Sequence, residues 1–435
     1  MINLFSTIHN KIASRQGYDR FIDLSFLLSI FYVFVMFFDS VILSQKNFGD
    51  ENAFTKDLIY YLDNGYYDTV IHGISIPFTL ISVFFYNLIN DHSIALRLTG
   101  TIFTILPLLY ILLRTKLLNR NYRIILFHLF LLIGTSGGQF YGTNDTIFFT
   151  GFLIFLLEST VVRDESKLHI LLLFLSSIIF ILSRPHFIIY SFVMVAGFVF
   201  FKLIQKDFRF IKSHKRVVYT FIVGLIVAII LNMPRLMNGQ YSISHSNKIY
   251  TSYKAEDVNW TEWHYYSQMV GNKKRFGLFA PMVKWEEVRN YKLSNPDSKL
   301  PNSYTGYLIH DFYHIIHRIP ISLVEVVAVS VRYVGIFLFI LPFVLYKKIR
   351  TKSFDYNLLF SLIILFGILT WVIIWPHTVE TRWLYPFYLL LIFVMVEDST
   401  IKKLDYHGLL VTFNIVLMDI ITIWALWKWE IFRSI

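Results

Sequence analysis

The sequence predicts an all-α membrane protein whose helices cross the bilayer many times. Of its 435 residues, 55% are hydrophobic and 16% are charged, whereas soluble domains carry about 25% charged residues. The mean hydropathy is +0.55. Apolar runs such as 21–43 and 217–233 reach or approach the roughly 20 residues that a helix needs to span the hydrocarbon core. The first run is too long for the hydrophobic segment of a cleavable signal peptide, so we expect it to be a transmembrane helix.

The hydropathy pattern predicts eleven membrane-spanning helices with the N-terminus in the cytoplasm. In this topology most basic residues fall in inward loops, as the positive-inside rule requires. Segment 71–90 is interpreted as an interfacial helix, because a further span there would place the basic run 114–123 outside. Pro77 suits a helix that begins at the membrane surface. The predicted spans are residues 21–43, 94–113, 124–139, 146–160, 168–183, 186–204, 217–233, 321–346, 357–375, 382–397 and 408–427.

This topology divides the chain into three regions. Residues 1–233 form an N-terminal transmembrane module, in which 44–93 is an ordered external loop that carries an acidic pair. Residues 234–320 form a long external loop, rich in Tyr, Trp, Lys and Asn, with room for several short helices, including one at 285–293. Residues 321–435 supply the C-terminal transmembrane helices. We find no inverted internal repeat, which disfavours a secondary transporter.

The charge and the missing motifs exclude several classes of protein. The formal net charge is +11, but because the basic residues lie between predicted spans, membrane orientation explains them better than nucleic-acid binding does. The chain has no cysteine, which excludes disulfides and thiolate metal sites. It also lacks D-x-D, H-E-x-x-H, Walker A and G-x-G-x-x-G motifs. Soluble nucleotide-sugar transferases, ABC-type ATPases and metalloproteases are therefore unsupported.

Two adjacent acids, Asp50 and Glu51, follow the first predicted span and are the leading catalytic candidates. A carboxylate at the membrane surface can act as a general base that takes a proton from an acceptor hydroxyl. The alternative interpretation is a polar cap on a helix that begins near Asn52. Because neighbouring residues of a helix point in different directions, one acid can catalyse while the other caps the helix.

The outer end of the fourth span and the turn after the fifth carry further charged candidates. Asp145 is interpreted either as the N-cap of an apolar helix or as a second active-site acid. Arg184 and His186 flank Pro185 in a short outward turn. Their functional interpretation is phosphate binding, and the alternative for Arg184 is snorkelling to the interface.

Glu380 and Arg382 lie immediately before the tenth span, on the same predicted side. The pair either fixes the end of the helix or provides an arginine that clamps a phosphate leaving group. Glu380 is also a candidate for contacting a sugar or an acceptor. Within the eighth span, Glu325 and Arg332 lie seven residues apart, on roughly one face of the helix. Ionisable groups at that depth are functional candidates, and the alternative, which we prefer, is a buried structural pair.

The long external loop offers two more candidates, His264 and Tyr265. Aromatic and imidazole side chains can stack on sugars and donate hydrogen bonds to them. Aromatic residues in such loops also anchor a protein to the membrane interface. A sugar-binding or acceptor-binding role and an anchoring role are both open for these two residues.

Taken together, these segments resemble the GT-C superfamily of polyprenyl-phosphate-sugar-dependent glycosyltransferases. The resemblance is to the branch that contains protein O-mannosyltransferases and lipid A aminoarabinose transferases. It covers about residues 20–205 and 320–400 and leaves 234–320 unmatched. The family's basic residues or prolines ahead of the interfacial helix are reduced here to His72 and Pro77. The motifs that carry the resemblance are GDEN (49–52), SIPFTL (75–80), IALRLTGTIF (94–103), TND (143–145), SRPHF (183–187) and ETRWLYP (380–386).

The resemblance implies a GT-C-like bundle of about eleven transmembrane helices with interfacial helices in the first external loop. It implies inverting transfer of a sugar from a polyprenyl-phosphate donor to a glycan, lipid or protein on the non-cytoplasmic face. Carried over, Asp50 or Glu51 is the base, Asp145 is a second acid, and Arg184 and Arg382 bind the lipid phosphate. No cofactor is certain, and a divalent metal ion near Asp50 and Asp145 is left open.

Other functions compete with this interpretation. An O-antigen polymerase or ligase also has many spans, a large outer loop and functional arginines, but usually lacks an acidic pair after the first span. A flippase or transporter would place ionisable residues at mid-membrane in several helices. A non-catalytic scaffold with the same fold is the third alternative. The abundance of Phe, Ile, Lys and Asn suggests an AT-rich bacterial genome, and hence a bacterial inner membrane.

Overall fold

The protein is an all-helical multi-pass membrane protein in the part of the chain that the structure describes. The structure is a computed structural model that describes residues 15–46, 50–115, 122–136, 142–162, 166–206, 215–239, 258–271, 281–297, 300–301, 303–310, 312–375, 377, 379–397 and 407–434. No strand occurs among these residues. The predicted fold class is confirmed at this level.

The described residues form eighteen α-helices. Two of them end in a turn of π-helix, at Phe38–Leu43 and Ile111–Thr115. The helices are α1 (Arg15–Phe37), α2 (Asp50–Ile71), α3 (Ile76–Ile89), α4 (His92–Tyr110), α5 (Tyr122–Thr135), α6 (Asp145–Thr160), α7 (Lys167–Ser183), α8 (Phe187–Gln205), α9 (Lys215–Leu231), α10 (Met233–Met237), α11 (Trp260–Gly271), α12 (Trp285–Ser294), α13 (Tyr304–His310), α14 (Phe312–Val334), α15 (Phe337–Arg350), α16 (Tyr356–Ile374), α17 (Thr381–Glu397) and α18 (His407–Ser434).

Five helices among the described residues are long and apolar enough to cross a membrane. A bent pair, Ile315–Val334 with Phe337–Arg350, makes a sixth candidate, and several shorter apolar helices accompany them. Each candidate overlaps a span that the hydropathy pattern predicts. The total of eleven spans stays a prediction. The five helices are Tyr18–Leu43, His92–Arg114, Phe187–Gln205, Tyr356–Ile374 and Leu409–Lys428.

Helices α6 and α17 form the centre of the bundle. Ile147, Phe152 and Leu157 of α6 are fully buried, and α17 is buried from Trp383 to Val396. A helix that is apolar on all sides belongs in the interior of a bundle. The outer helices expose large apolar side chains instead, for example Leu24 and Phe192. Such an apolar exterior is what a lipid-facing surface requires.

The predicted eighth span, 321–346, is not one helix. Helix α14 ends at Val334, and α15 leaves it at an angle of 102°. Gly335 has a φ of 60°, a left-handed conformation that favours glycine. The side chain of Asn414 stabilises the bend, because its Oδ1 accepts a hydrogen bond of 2.8 Å from the backbone N–H of Ile336. The predicted span is therefore a bent pair of helices rather than one straight helix, and its crossing of the membrane as one span stays a prediction.

Replacing Gly335 by alanine is expected to destabilise the protein by about 2–5 kcal/mol. The left-handed backbone costs an alanine about 1–2 kcal/mol, and overpacking adds about 1–3 kcal/mol. The new Cβ would lie 2.0 Å from Oδ1 of Asn414. Gly239→Ala is the matched control, since Gly239 has a φ of 75° and no heavy atom within 4 Å of the added Cβ. Equal losses of unfolding free energy in detergent for both variants would contradict the steric argument.

A buried polar cluster lies between the ends of α4, α6 and α7. These are the helix ends away from Asp145, the first residue of α6. Glu158 accepts hydrogen bonds from Tyr110 (2.8 Å) and Arg114 (3.2 Å), and its other oxygen lies 2.6 Å from Nδ1 of His169. This cluster joins three helices at that level of the bundle.

The predicted pair of Glu325 and Arg332 is wrong. Glu325 accepts a 2.6 Å hydrogen bond from Arg318, which lies seven residues before it on α14. Both side chains are 1% exposed. Arg332 is exposed. Both spacings are seven residues, so the sequence alone does not choose between them.

The region predicted as a long external loop contains helices α10 to α13. Helix α12 confirms the predicted helix at 285–293. Helix α14 begins at Phe312, inside the predicted loop rather than at residue 321. Residues 240–257 and 272–280 of this loop lie outside the described residues.

Candidate functional site

Four charged side chains from distant parts of the chain meet at one end of the central helices. Nη1 of Arg382 donates hydrogen bonds to Oδ2 of Asp50 (2.6 Å) and to Oδ2 of Asp145 (3.3 Å). Nη1 of Arg184 forms an ion pair with Oδ1 of Asp145 at 2.8 Å. The order of contacts is therefore Asp50–Arg382–Asp145–Arg184. We call these four residues the charged cluster.

Helix ends place the charged cluster. Asp50 is the first residue of α2, Asp145 is the first residue of α6, and Arg382 is the second residue of α17. Arg184 follows the last residue of α7. The N-termini of α2, α6 and α17 carry partial positive charge, which stabilises the two aspartates and favours a further anion nearby.

Asn144 orients Arg184. Its Oδ1 accepts a 2.6 Å hydrogen bond from Nε of Arg184, while its Nδ2 donates to the backbone carbonyl of Ser183 at 2.9 Å. Asn144 is fully buried. The TND motif contains this residue, but only the aspartate of the motif is among the predicted site residues. An amide directly before a candidate acid was the signal that could have identified it.

One nitrogen of Arg184 is ready to bind a further acceptor. Arg184 is only 6% exposed, and among the described residues no group accepts a hydrogen bond from its Nη2. An unmet buried donor of a charged group costs more than about 1–3 kcal/mol. An anionic ligand at this position would remove that cost.

Glu51 does not join the charged cluster. Its Oε2 accepts a 2.9 Å hydrogen bond from Nε of Arg97, and both side chains are 0% exposed. The Arg97 guanidinium also donates to the carbonyls of Val41 (2.9 Å) and Gln45 (2.8 Å) at the end of the first span. The two adjacent acids therefore have different partners, and the geometry favours Asp50 as the acid that a substrate can reach.

Arg97 is a further residue that the sequence analysis did not select. It was visible as an arginine within the apolar run IALRLTGTIF. A charge at that depth requires a partner. The structure identifies the partner as Glu51.

Glu380 places a third carboxylate beside the four residues of the charged cluster. It accepts a hydrogen bond from Nε of Arg382. Three carboxylates (Asp50, Asp145 and Glu380) thus surround two guanidinium groups. The formal charge of this group of five is −1.

A group of aromatic side chains surrounds Trp383, the residue that follows Arg382. The ring of His186 packs edge-on against Trp371 and Trp383, with centroid distances of 5.3 and 5.5 Å. Tyr190 fixes the backbone after Arg382, because its hydroxyl donates to the carbonyl of Trp383 at 2.5 Å. His186 therefore packs against the tryptophan that follows Arg382, and its predicted role in phosphate binding stays a prediction.

His264 and Tyr265 lie in packed surroundings on α11. The ring of His264 lies 4.7 Å from Trp375 and 5.5 Å from His377. Burial and the neighbouring His377 lower the pKa of His264 to about 3, so the ring is neutral at physiological pH. Tyr265 packs against Tyr307 and His310. Their predicted contact with a sugar or acceptor stays a prediction.

Within the described residues, no group of three or more His, Cys, Asp or Glu side chains is arranged to hold a metal ion. Asp50 and Asp145 are both directed at Arg382 instead. Comparisons with protein-family models, with curated proteins and with solved structures found no match to this chain.

Proposed function

We propose that this protein is an integral membrane glycosyltransferase that uses a polyprenyl-phosphate-linked sugar as donor. The observation that carries the proposal is the convergence of Asp50 with Arg382 and, through Asp145, with Arg184, from segments up to 332 residues apart in sequence. Each of these residues was selected from the sequence for its position at a helix end. A carboxylate beside two arginines provides a base and an anion-binding site within one small volume.

The proposed reaction is a single displacement with inversion. The oxygen of an acceptor hydroxyl attacks the anomeric carbon, and the bond from that carbon to the phosphate oxygen breaks. The phosphate leaves with the electron pair as polyprenyl phosphate, and Asp50 takes the proton of the hydroxyl. Arg184 and Arg382 stabilise the charge that develops on the departing phosphate.

The position of the cluster suits a donor that cannot leave the bilayer. The cluster lies at the ends of apolar helices, where a lipid phosphate at headgroup depth can reach cationic side chains. We place this end on the periplasmic or extracellular face of a bacterial inner membrane, with the N-terminus in the cytoplasm and about eleven spans in a GT-C-like bundle. The positive-inside pattern of the loops supports this orientation.

Loss of Arg184 is expected to weaken use of the donor. In membranes that contain the protein, Arg184→Gln should raise the KM for a radiolabelled polyprenyl-phosphate sugar by about 10- to 100-fold, the worth of one hydrogen bond to a charged group. The control is Arg123→Gln, since Arg123 forms an exposed ion pair with Asp23 elsewhere in the protein. The proposal would be contradicted if the wild-type protein transferred sugar from no lipid-phosphate donor. An unchanged KM for Arg184→Gln would also contradict it.

A further inference from the structure

The Nη1 atom of Arg382 is already bonded to anionic oxygens. Asp50 lies 2.6 Å from it and Asp145 lies 3.3 Å from it. The contact with Asp50 has about the length of a bond between a guanidinium and an oxygen of a phosphate. In this arrangement Asp50 takes up the edge of Arg382 that a donor phosphate would need.

The charge balance favours a change in the present contacts when an anion enters. Three carboxylates and two guanidinium groups give a formal charge of −1. A phosphodiester adds another negative charge. Like charges that face each other without water or cations between them are strongly unfavourable. Release of one carboxylate from Arg382 would relieve this repulsion and free a guanidinium nitrogen for the phosphate.

Asp50 is the carboxylate best placed to move. Asp145 is 2% exposed in its side chain and contacts both arginines. Glu380 bonds the opposite edge of Arg382, at Nε, from the same short segment. Asp50 comes from a different helix, bonds the Nη1 edge, and keeps 22% of its side chain exposed.

We infer that Asp50 and the phosphate of an isoprenoid-linked donor compete for Arg382, so that donor binding releases Asp50 to act as the base. This inference rests on the proposed function. A carboxylate bonded to a guanidinium accepts a proton less readily than a free one does. The base is therefore weak until the donor is in place, which orders the two substrates, with the donor first.

The test is a binding experiment on the full chain in detergent, with farnesyl phosphate as the probe. Asp50→Asn should bind farnesyl phosphate about 10-fold more tightly than the wild type, because an uncharged amide competes poorly for Arg382. Glu380→Gln is the matched control: it removes the same charge from the same cluster but leaves the Nη1 contact with Asp50. We expect it to tighten binding by no more than about 3-fold.

A double-variant cycle isolates the competition. In an Arg382→Gln background, Asp50→Asn should no longer tighten binding, since the shared guanidinium is absent. Unchanged or weaker binding by Asp50→Asn in the native background would overturn the inference, as would equal effects of Asp50→Asn and Glu380→Gln. Asp50→Ser repeats the test with a smaller side chain, and thermal unfolding of each variant reports whether it is folded.

Two further measurements separate this inference from the proposed function. Inorganic phosphate, titrated in parallel, should bind at least about 100-fold more weakly than farnesyl phosphate, because it lacks the apolar chain; equal affinity would assign the site to a free anion and overturn the inference. If the wild type transfers sugar but Asp50→Asn does not bind the probe more tightly, the competition fails and the proposed function stands. If Arg184→Gln and Arg382→Gln both leave farnesyl phosphate binding unchanged, the inference and the proposed function both fail.

Discussion

Replacement of Asp50 by asparagine is expected to slow sugar transfer by about 10²–10⁴-fold, the usual contribution of a general base. Asparagine keeps the size of the side chain but cannot accept the proton of the attacking hydroxyl. The rate is measured at saturating donor in membranes that contain equal amounts of wild-type and variant protein. Asp23→Asn serves as the control, since Asp23 is an exposed acid paired with Arg123.

The same variant separates catalysis from folding. If Asp50 competes with the donor phosphate, Asp50→Asn should lower kcat and lower the KM for the donor at the same time. A variant that is merely misfolded would lower the amount of active protein and leave the KM of the remainder unchanged. A wild-type rate for Asp50→Asn would remove Asp50 from the mechanism.

The helices of this protein are largely predictable because their signals are local. Apolar runs bounded by charged loops predict helices such as α8 and α16. Pro77 predicts the start of α3, and it is the second residue of that helix, after Ile76. The bend at Gly335 was not predictable in the same way. It depends on Asn414, which lies on the last helix and caps the start of α15 from across the bundle.

The members of the charged cluster were also predictable, whereas their pairing was not. A charged residue at the outer end of an apolar span is costly enough to stand out in a sequence, which is how Asp145 and Arg184 were selected. Which acid meets which arginine depends on how helices pack. The spacing of seven residues fits both possible partners of Glu325, and nothing in the sequence links Glu51 to Arg97.

Replacement of Arg97 by methionine is expected to cost about 3–5 kcal/mol of unfolding free energy, because it leaves Glu51 as a buried charge without its partner. It also removes the donors that Arg97 offers to the carbonyls of Val41 and Gln45. Glu51→Gln should cost less, about 1–3 kcal/mol, since the guanidinium keeps its carbonyl acceptors. The free energies are measured by denaturant unfolding in mixed micelles.

The double variant Glu51→Gln/Arg97→Met tests whether the buried carboxylate of Glu51 causes the loss of unfolding free energy in Arg97→Met. It removes the buried carboxylate but leaves the two carbonyls without their donors, so it should recover only part of the loss seen in Arg97→Met. Arg123→Met, which breaks an exposed pair, should cost less than about 1 kcal/mol. Because Arg97 joins the end of the first span to the residue next to Asp50, a destabilised Arg97→Met should also lose transfer. If Arg97→Met unfolds like the wild type, or if Glu51→Gln costs as much as Arg97→Met, the buried pair does not hold the start of α2 in place.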